Sequence, residues 1–359
     1  MTTAEPACTT EPSASAPSRA MLVAPRHPSD ADWPWLTDVA PMDRHEFQST
    51  FIENTFTPVP KLTRFYRAWQ VFNARRAFSA QDVTFTFSVD LCLAIGPRRR
   101  QRSPRLVYVG FTQDGPWSQH KIDQLSAAMQ QYDAITVFTD DERDVYIERY
   151  RLQPDRVHTI PIHTDERDGY GAYPDNRPIE QPYVLSMGSP NRRFRPVAEA
   201  CHRLGLPLVI VTRPWHKNDD LDAMRELGAD VITDANKMRA LTLLKHSRMT
   251  AMAFDDPTIP GGFTTLVHGM FMRTPFVLTQ CRGMGEHVVD DVNGYVTPHD
   301  DQAGLEAAME KLWCEPGLAE RFGAQGLERA QARHSLEAAA VSFDALIDHV
   351  RSQPSVLSR

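Results

Sequence analysis

The chain has 359 residues, of which 42% are hydrophobic and 24% charged, an ordinary globular mixture long enough for about two domains. Thirty-nine Lys and Arg stand against 46 Asp and Glu, a net charge of −7. That balance argues against general nucleic-acid binding, which needs a basic face to displace counterions. No apolar run approaches the roughly 18 residues that span a bilayer. The five cysteines, at 8, 92, 201, 281 and 314, form no CxxC pair. Neither a disulfide framework nor a zinc knuckle is indicated, and a cytoplasmic setting is the expectation.

Residues 1–20 are rich in Ala, Pro, Ser and Thr and hold no aromatic residue. They lack the apolar core of a signal peptide and read as a disordered tail. Residues 20–24 read as a buried strand, followed by a polar, Trp-containing turn at 27–35. Leu62, Phe65, Tyr66, Trp69 and Phe72 follow helical spacing and predict a helix over 61–77. Strands are expected at 82–87, 106–111, 134–138 and 157–162, with helices between them, that at 118–131 being the clearest. Alternation of strand and helix is the signature of a parallel sheet.

Residues 165–182 contain Pro174, Pro178, Pro182, Gly169 and Gly171. Proline fixes φ and removes a donor, so this stretch does not suit a sheet interior. The expected organisation is a first domain at 21–165, a linker at 166–182, a second domain at 183–335, and a helix at 336–359 that could return to the first domain. The second domain repeats the pattern. Strands are expected at 183–187, 208–212, 230–233, 249–254 and 275–279. Helices carry the face of Val197, Ala200, Cys201 and Leu204, then residues 221–227, 238–246 and 264–273, and nearly all of 301–350. Two facing α/β domains form a cleft, where ligands usually sit.

Two segments carry chemistry. In SMGSPNRRFR (186–195) a strand ends at Gly188 and Ser189, and Arg192, Arg193 and Arg195 follow. Free N–H groups at a helix N-terminus favour an anion, and arginines add bidentate phosphate contacts. A solvated basic helix start is the plainer reading. In PGGFTTLVHGM (260–270), the N–H groups of Gly262, Phe263, Thr264 and Thr265, with the threonine hydroxyls, could cradle a phosphate. The plainer reading is a threonine N-cap. Both segments follow strands, so both face one edge of one sheet.

On these segments the second half resembles the nucleotide-sugar-binding domain of retaining GT-B glycosyltransferases, the glycogen-synthase and bacterial mannosyltransferase type. The resemblance covers roughly residues 183–342. It is carried by YVLSMG (183–188), GFTTLVHGM (262–270), TPFVLT (274–279), GMGEHVVDDVNGYVTP (283–298), PGLAERFG (316–323) and HSLE (334–337). It implies a GT-B fold of two Rossmann-like domains, a nucleotide-sugar donor and an acceptor as substrates, no metal and no other cofactor. Many relatives carry two glutamates around the Gly-Phe turn, one near the donor sugar and one on the ribose. Here Gly261 and His268 stand at those positions. Imidazole can still bond a ribose hydroxyl; packing under the helix is the alternative. The arginine that relatives place after the first glycine is Ser189, and Arg192 and Arg193 are the nearest replacements for diphosphate binding.

The first half resembles the family less. Its first turn has no glycine, and residues 82–88 hold no histidine. By position, Arg26, His27 and Asp30 sit where a turn faces the cleft. Trp33, Trp35 and Trp117 could stack on an acceptor ring, or simply pack in loops. The acidic pairs Asp140-Asp141, Asp255-Asp256 and Asp290-Asp291 are expected as solvated turns, and the basic run at 98–102 as a solvated loop. There is no GxSxG, HExxH or GxxxxGK[ST]. The expectation is a retaining glycosyltransferase with Arg192, Arg193 and His27 as catalytic candidates. The rival expectation is a non-catalytic GT-B homologue that binds a nucleotide or a partner glycosyltransferase.

Overall fold

The structure, a computed structural model, describes residues 19–26, 46–53, 81–87, 89–99, 104–110, 117–164, 179–214, 216 and 219–358. The turn at 27–35, the expected helix at 61–77 and most of the linker lie outside these residues.

Short apolar, β-branched runs form two parallel sheets of six strands each, as strands buried on both faces do. The first sheet holds β1 (Arg19–Arg26), β2 (Glu46–Glu53), β3 (Val83–Phe87), β4 (Arg105–Val109), β5 (Ala134–Val137) and β6 (Val157–Thr159), in the order β2-β1-β3-β4-β5-β6. The strand β2 was not among the expected elements. It is an edge strand, pairing Phe47 with Ala20 of β1, and its polar residues interrupt the apolar pattern.

Among the described residues of this half, the helices are α1 (Val89–Ile95), α2 (Gln119–Met129) and α3 (Asp140–Tyr150). The start of α3 is a capping arrangement. Thr139 Oγ1 accepts from Glu142 N at 3.1 Å, and Glu142 Oε2 accepts from Phe138 N at 3.0 Å. Asp140 and Asp141 are exposed, as expected, but form the first turn of a helix rather than a free-standing turn, the end that acidic residues favour.

The second sheet holds β7 (Val184–Met187), β8 (Leu208–Val211), β9 (Ala229–Ile232), β10 (Met249–Met252), β11 (Phe276–Thr279) and β12 (Gly294–Thr297), in the order β12-β11-β10-β7-β8-β9. The helices are α4 (Arg195–Leu204), α5 (Leu221–Glu226), α6 (Lys237–His246), α7 (Phe263–Phe271), α8 (Gln302–Cys314), α9 (Pro316–His334) and α10 (Leu336–Ser352). One face buries Val197 and Cys201 of α4 with Met309 and Leu312 of α8. The other buries Leu241 and Leu244 of α6, and Leu266 and Met270 of α7. The chain runs outward from β7 to β9, then returns to place β10 on the far side of β7. That reversal opens a crevice at the carboxyl ends of β7 and β10.

The helix α10 returns to the first sheet. Phe343, Leu346, Ile347 and Val350 pack with Val83, Phe85, Val107 and Val109, and the rings of Phe343 and Phe85 meet edge-on at 5.5 Å. Beyond it, Ser355 Oγ and Val356 N donate to Asp133 Oδ1 at 3.0 and 3.1 Å. Arg99 is buried against Asp133 and donates to Gln131 O at 2.6 Å. This corrects the expectation at one residue of the basic run: the Arg99 side chain is buried and ties the chain end to the first sheet through Ser355, while residues 100–102 lie outside the described residues. Among the described residues no helix is long and apolar enough to cross a membrane.

A polar joint links the halves beside the crevice. Glu286 Oε1 accepts from Asp140 N at 2.7 Å and Asp141 N at 3.4 Å, so a carboxylate from the second half caps α3 of the first. In return Gly283 N donates to Asp141 Oδ2 at 3.1 Å. Burial raises the pKa of Glu286, although those N–H groups favour its charge. Next to it, His287 lies parallel between Phe263, at 4.5 Å, and His334, at 5.0 Å. His334 Nδ1 meets Ile162 O of the first half at 2.7 Å. Burial lowers the pKa of His287 to about 3 and that of His334 to about 4, with Arg329 and Arg333 adding to the effect.

Two outcomes follow from this packing. Phe343→Ala should lower stability by about 3–5 kcal/mol, the usual cost of emptying a buried phenylalanine site, read from denaturant titration. Acid should destabilise the joint with a definite sign. Above the ordinary histidine pKa of about 6.5 both states are neutral. As pH falls from there towards about 4, the unfolded chain takes up protons that the folded His287 and His334 refuse, and stability falls. His287→Phe keeps the stack on Phe263 and should flatten that slope by up to one proton, about 1.4 kcal/mol per pH unit, measured as stability against pH.

Candidate functional site

The two glycine-containing turns meet on one side chain. After β7 the chain turns at Gly188, whose φ is 122°, and after β10 it enters α7 through Gly262, whose φ is 84°. Both values suit glycine. A β-carbon on Gly188 would lie 2.8 Å from Arg192 Nε, and one on Gly262 would lie 2.7 Å from Arg192 Nη2. Neither position has room for a side chain while Arg192 stays in place. The guanidinium lies over the ring of Phe254 at 4.7 Å. Its Nε donates to Met187 O at 3.0 Å and its Nη1 to Pro190 O at 3.4 Å. Burial lowers its pKa to about 10, so it stays cationic at neutral pH.

The start of α7 is where this charge points to chemistry. Its N-cap is Gly262, not a threonine, so the cap residue brings no side chain to the helix start. The first N–H groups of a helix have no partner inside it. Those of Phe263, Thr264 and Thr265 therefore open beside Arg192, a cation next to a helix N-terminus. Gly261 borders the same space: a β-carbon there would lie 3.6 Å from Arg192 Nη1, an ordinary contact. One turn on, His268 is buried, and burial, with Lys237 nearby, lowers its pKa to about 3. It is a neutral imidazole.

The other helix start is different from the expectation. Arg192 and Arg193 precede α4, which begins only at Arg195. Its leading N–H groups are already satisfied by the protein's own anion: Phe194 N and Arg195 N donate to the Asp219 carboxylate at 2.7 and 3.1 Å. His216 Nε2 meets the same carboxylate at 3.0 Å, and both side chains are buried. The α4 terminus is thus capped by Asp219, whereas the α7 terminus lies against Arg192 at Gly262. Arg193 is engaged by Asp300 at 2.5 Å, away from Arg192. Ser189 lies between Gly188 and the turn.

On the first sheet, Arg26 is the last residue of β1, while His27 and Asp30 lie outside the described residues. Trp117 precedes α2, half-buried, with Lys121 Nζ 5.0 Å from its ring centroid. Asp256 is a structural turn residue, its Oδ1 accepting from Thr258 N at 2.8 Å and Thr258 Oγ1 at 2.6 Å. Asp290 Oδ1 likewise accepts from Val296 N at 2.9 Å. Among the described residues no group of three His, Cys, Asp or Glu is placed to hold a metal ion. Sequence reasoning missed Asp219, Glu286 and Phe254. Nothing local marks them, because each acts on an element more than twenty residues away.

No family model matches the chain, and no curated protein matches it in sequence. Solved structures do match it along nearly its whole length. Sucrose-phosphate synthase from Thermosynechococcus elongatus superposes with a TM-score of 0.73 at 15% identity, covering 93% of this chain and 99% of that one. HepE from Anabaena, in complex with UDP, gives 0.70 at 13% identity, covering 92% and 99%. A glycosyltransferase from Rickettsia africae gives 0.69 at 11% identity, covering 94% and 100%. Two parallel sheets with flanking helices and a helical tail, arranged as in these neighbours, make this the GT-B fold.

Proposed function

We propose that the protein is a glycosyltransferase that moves a sugar from a nucleotide-activated donor to an acceptor with retention of anomeric configuration. The observation that carries this reading is the convergence of Gly188 and Gly262 on Arg192 beside the glycine-capped start of α7. A buried, permanently charged guanidinium and a helix N-terminus together suit a diphosphate. The same groups stabilise the negative charge that grows on the departing nucleoside diphosphate. They supply positive charge without a metal or other cofactor. That HepE, a neighbour of the same fold, was solved in complex with UDP supports a nucleotide ligand here.

In this reading the N–H groups of Gly262 to Thr265 hold the phosphates with Arg192, and Ser189 lines the turn. His268 meets the ribose. Arg193, paired with Asp300, stands at the rim. Retention places the acceptor oxygen on the face of the anomeric carbon from which the diphosphate leaves; in this reading the first half supplies the acceptor side. Arg26, His27, Asp30 and Trp117 are its candidate contacts. Residues 21–165 and 183–335 are the proposed domains, joined by 166–182. The free cysteines Cys92, Cys201, Cys281 and Cys314 support a cytoplasmic setting.

One observation favours a second reading, a non-catalytic GT-B protein that binds a nucleotide. Gly261 offers no carboxylate to the donor sugar. A panel of nucleotide sugars with mono- and disaccharide acceptors separates the two: nucleotide release is expected with one donor, whereas tight nucleotide binding without release supports the second reading.

Four variants probe the site. Arg192→Gln should weaken a nucleoside diphosphate by about 1.5–3 kcal/mol, the scale of a charge-assisted bond, and leave the free nucleoside unchanged in calorimetry. Arg193→Ala, which only breaks a partly exposed pair with Asp300, should cost under about 1 kcal/mol.

Gly261→Glu should also weaken the diphosphate. A β-carbon there makes only an ordinary contact with Arg192 Nη1, and a carboxylate carried on it would offset the cation that the phosphates need. Unchanged diphosphate affinity in that variant would show that Arg192 does not face the ligand.

His268→Ala should cost about 1 kcal/mol in nucleotide affinity, the usual scale of a neutral hydrogen bond. The cost should vanish for a 2′,3′-dideoxy nucleotide, which lacks the ribose hydroxyls. Equal loss for both nucleotides would make His268 a packing residue.

A further inference from the structure

Asn191 sits in the turn between Gly188 and Arg192 with φ 53°, a left-handed conformation that asparagine tolerates better than most residues. Its carboxamide faces the loop that leads from β10 to α7. There Nδ2 donates to Asp256 O at 2.9 Å, and Oδ1 accepts from Asp256 N at 2.8 Å. The side chain thus exchanges two bonds with one residue's backbone, as a neighbouring strand would. Nδ2 also donates to Ile259 O at 2.7 Å. The same Ile259 carbonyl accepts from Cys281 Sγ at 2.9 Å, at the end of β11. Three strand-end turns, after β7, β10 and β11, therefore close on Asn191.

The side-chain chemistry is specific. An asparagine amide offers a donor and an acceptor in one plane, whereas a carboxylate offers acceptors only. Aspartate here would set a negative charge against two carbonyl oxygens. Asp256 is itself held by its bonds to Thr258, so its backbone is presented as a fixed partner. The tolerance next door is small, because Arg192 lies against both Gly188 and Gly262 with no space for a methyl group. An ångström of drift between the two turns would either crush that contact or open it.

We propose that Asn191 is a positioning residue that sets the distance between the Arg192 guanidinium and the N-terminus of α7. In the reading of this site as a diphosphate site, on which the proposal rests, Asn191 touches no phosphate. It acts by fixing the loop of residues 255–262 against the turn that carries Arg192.

The test uses Asn191→Gly and Asn191→Asp in the full chain. Glycine keeps the left-handed backbone without strain and removes only the carboxamide. UDP, GDP and ADP are each titrated against their own nucleosides, and amide exchange is followed across residues 254–265. Both variants should bind the tightest of the three diphosphates about tenfold more weakly, the loss expected when a charge-assisted contact is misplaced, with nucleoside affinity unchanged. Exchange should rise in 256–265 and not in β7 to β9. Wild-type binding by Asn191→Gly, or an equal loss for diphosphate and nucleoside, would overturn the proposal. If the unaltered protein binds none of the three diphosphates, the diphosphate reading falls. The exchange measurement then decides the loop-fixing role alone, and unchanged exchange in both variants would refute it.

Discussion

A guanidinium taken out of water costs several kcal/mol unless its donors are met and its charge is used. Arg192 is 3% exposed, and the crevice of the second half is organised around that fact. Its backbone is held by an antiparallel bridge to Phe254, its donors reach the carbonyls of Met187 and Pro190, and the Phe254 ring supports its face. Gly188 and Gly262 are glycines because the guanidinium fills the volume their β-carbons would take. One side chain thus explains the composition of two turns over seventy residues apart. The charge remains at neutral pH because burial lowers the pKa only to about 10.

Helix N-termini at this edge of the fold are used in two ways. The start of α4 is closed by Asp219 and that of α3 by Glu286. Each carboxylate comes from a different element, so satisfying N–H groups also fixes tertiary structure. The start of α7 has a glycine N-cap with no side chain to offer. The contrast matters because a helix N-terminus alone says little about ligands. Among these three, the one without a carboxylate is the one that opens beside a buried cation.

Much of the fold was legible because its strands and helices are periodic and separated by glycine and proline. Val184–Met187, Leu208–Val211 and Phe276–Thr279 are short apolar runs, and the helix face of Val197, Ala200, Cys201 and Leu204 lies in α4 as spaced. The edge strand Glu46–Glu53 escaped because an edge strand needs no continuous apolar run. At the site, the residue types of the turns were readable, but their partners were not. That Asp219 would occupy the α4 terminus, or that Asp300 would draw Arg193 aside, depends on contacts 24 and 107 residues apart in the chain. Local pattern carries no information about such pairs.

The joint between the halves reaches the crevice through Phe263. That residue is the first of α7 and also the end of the ring stack through His287 to His334. Gly283 is pressed into the same place: a β-carbon there would lie 2.9 Å from the Phe263 ring and 3.0 Å from Thr139, the cap of α3. Thr139 of the first half and Phe263 of the second are thus packed against the same glycine. Close packing transmits displacements because there is no void to absorb them. Separation of the halves would also leave the Asp140 and Asp141 N–H groups without the Glu286 carboxylate. The contacts that hold the halves together and the atoms proposed to hold a diphosphate are thus one packed unit.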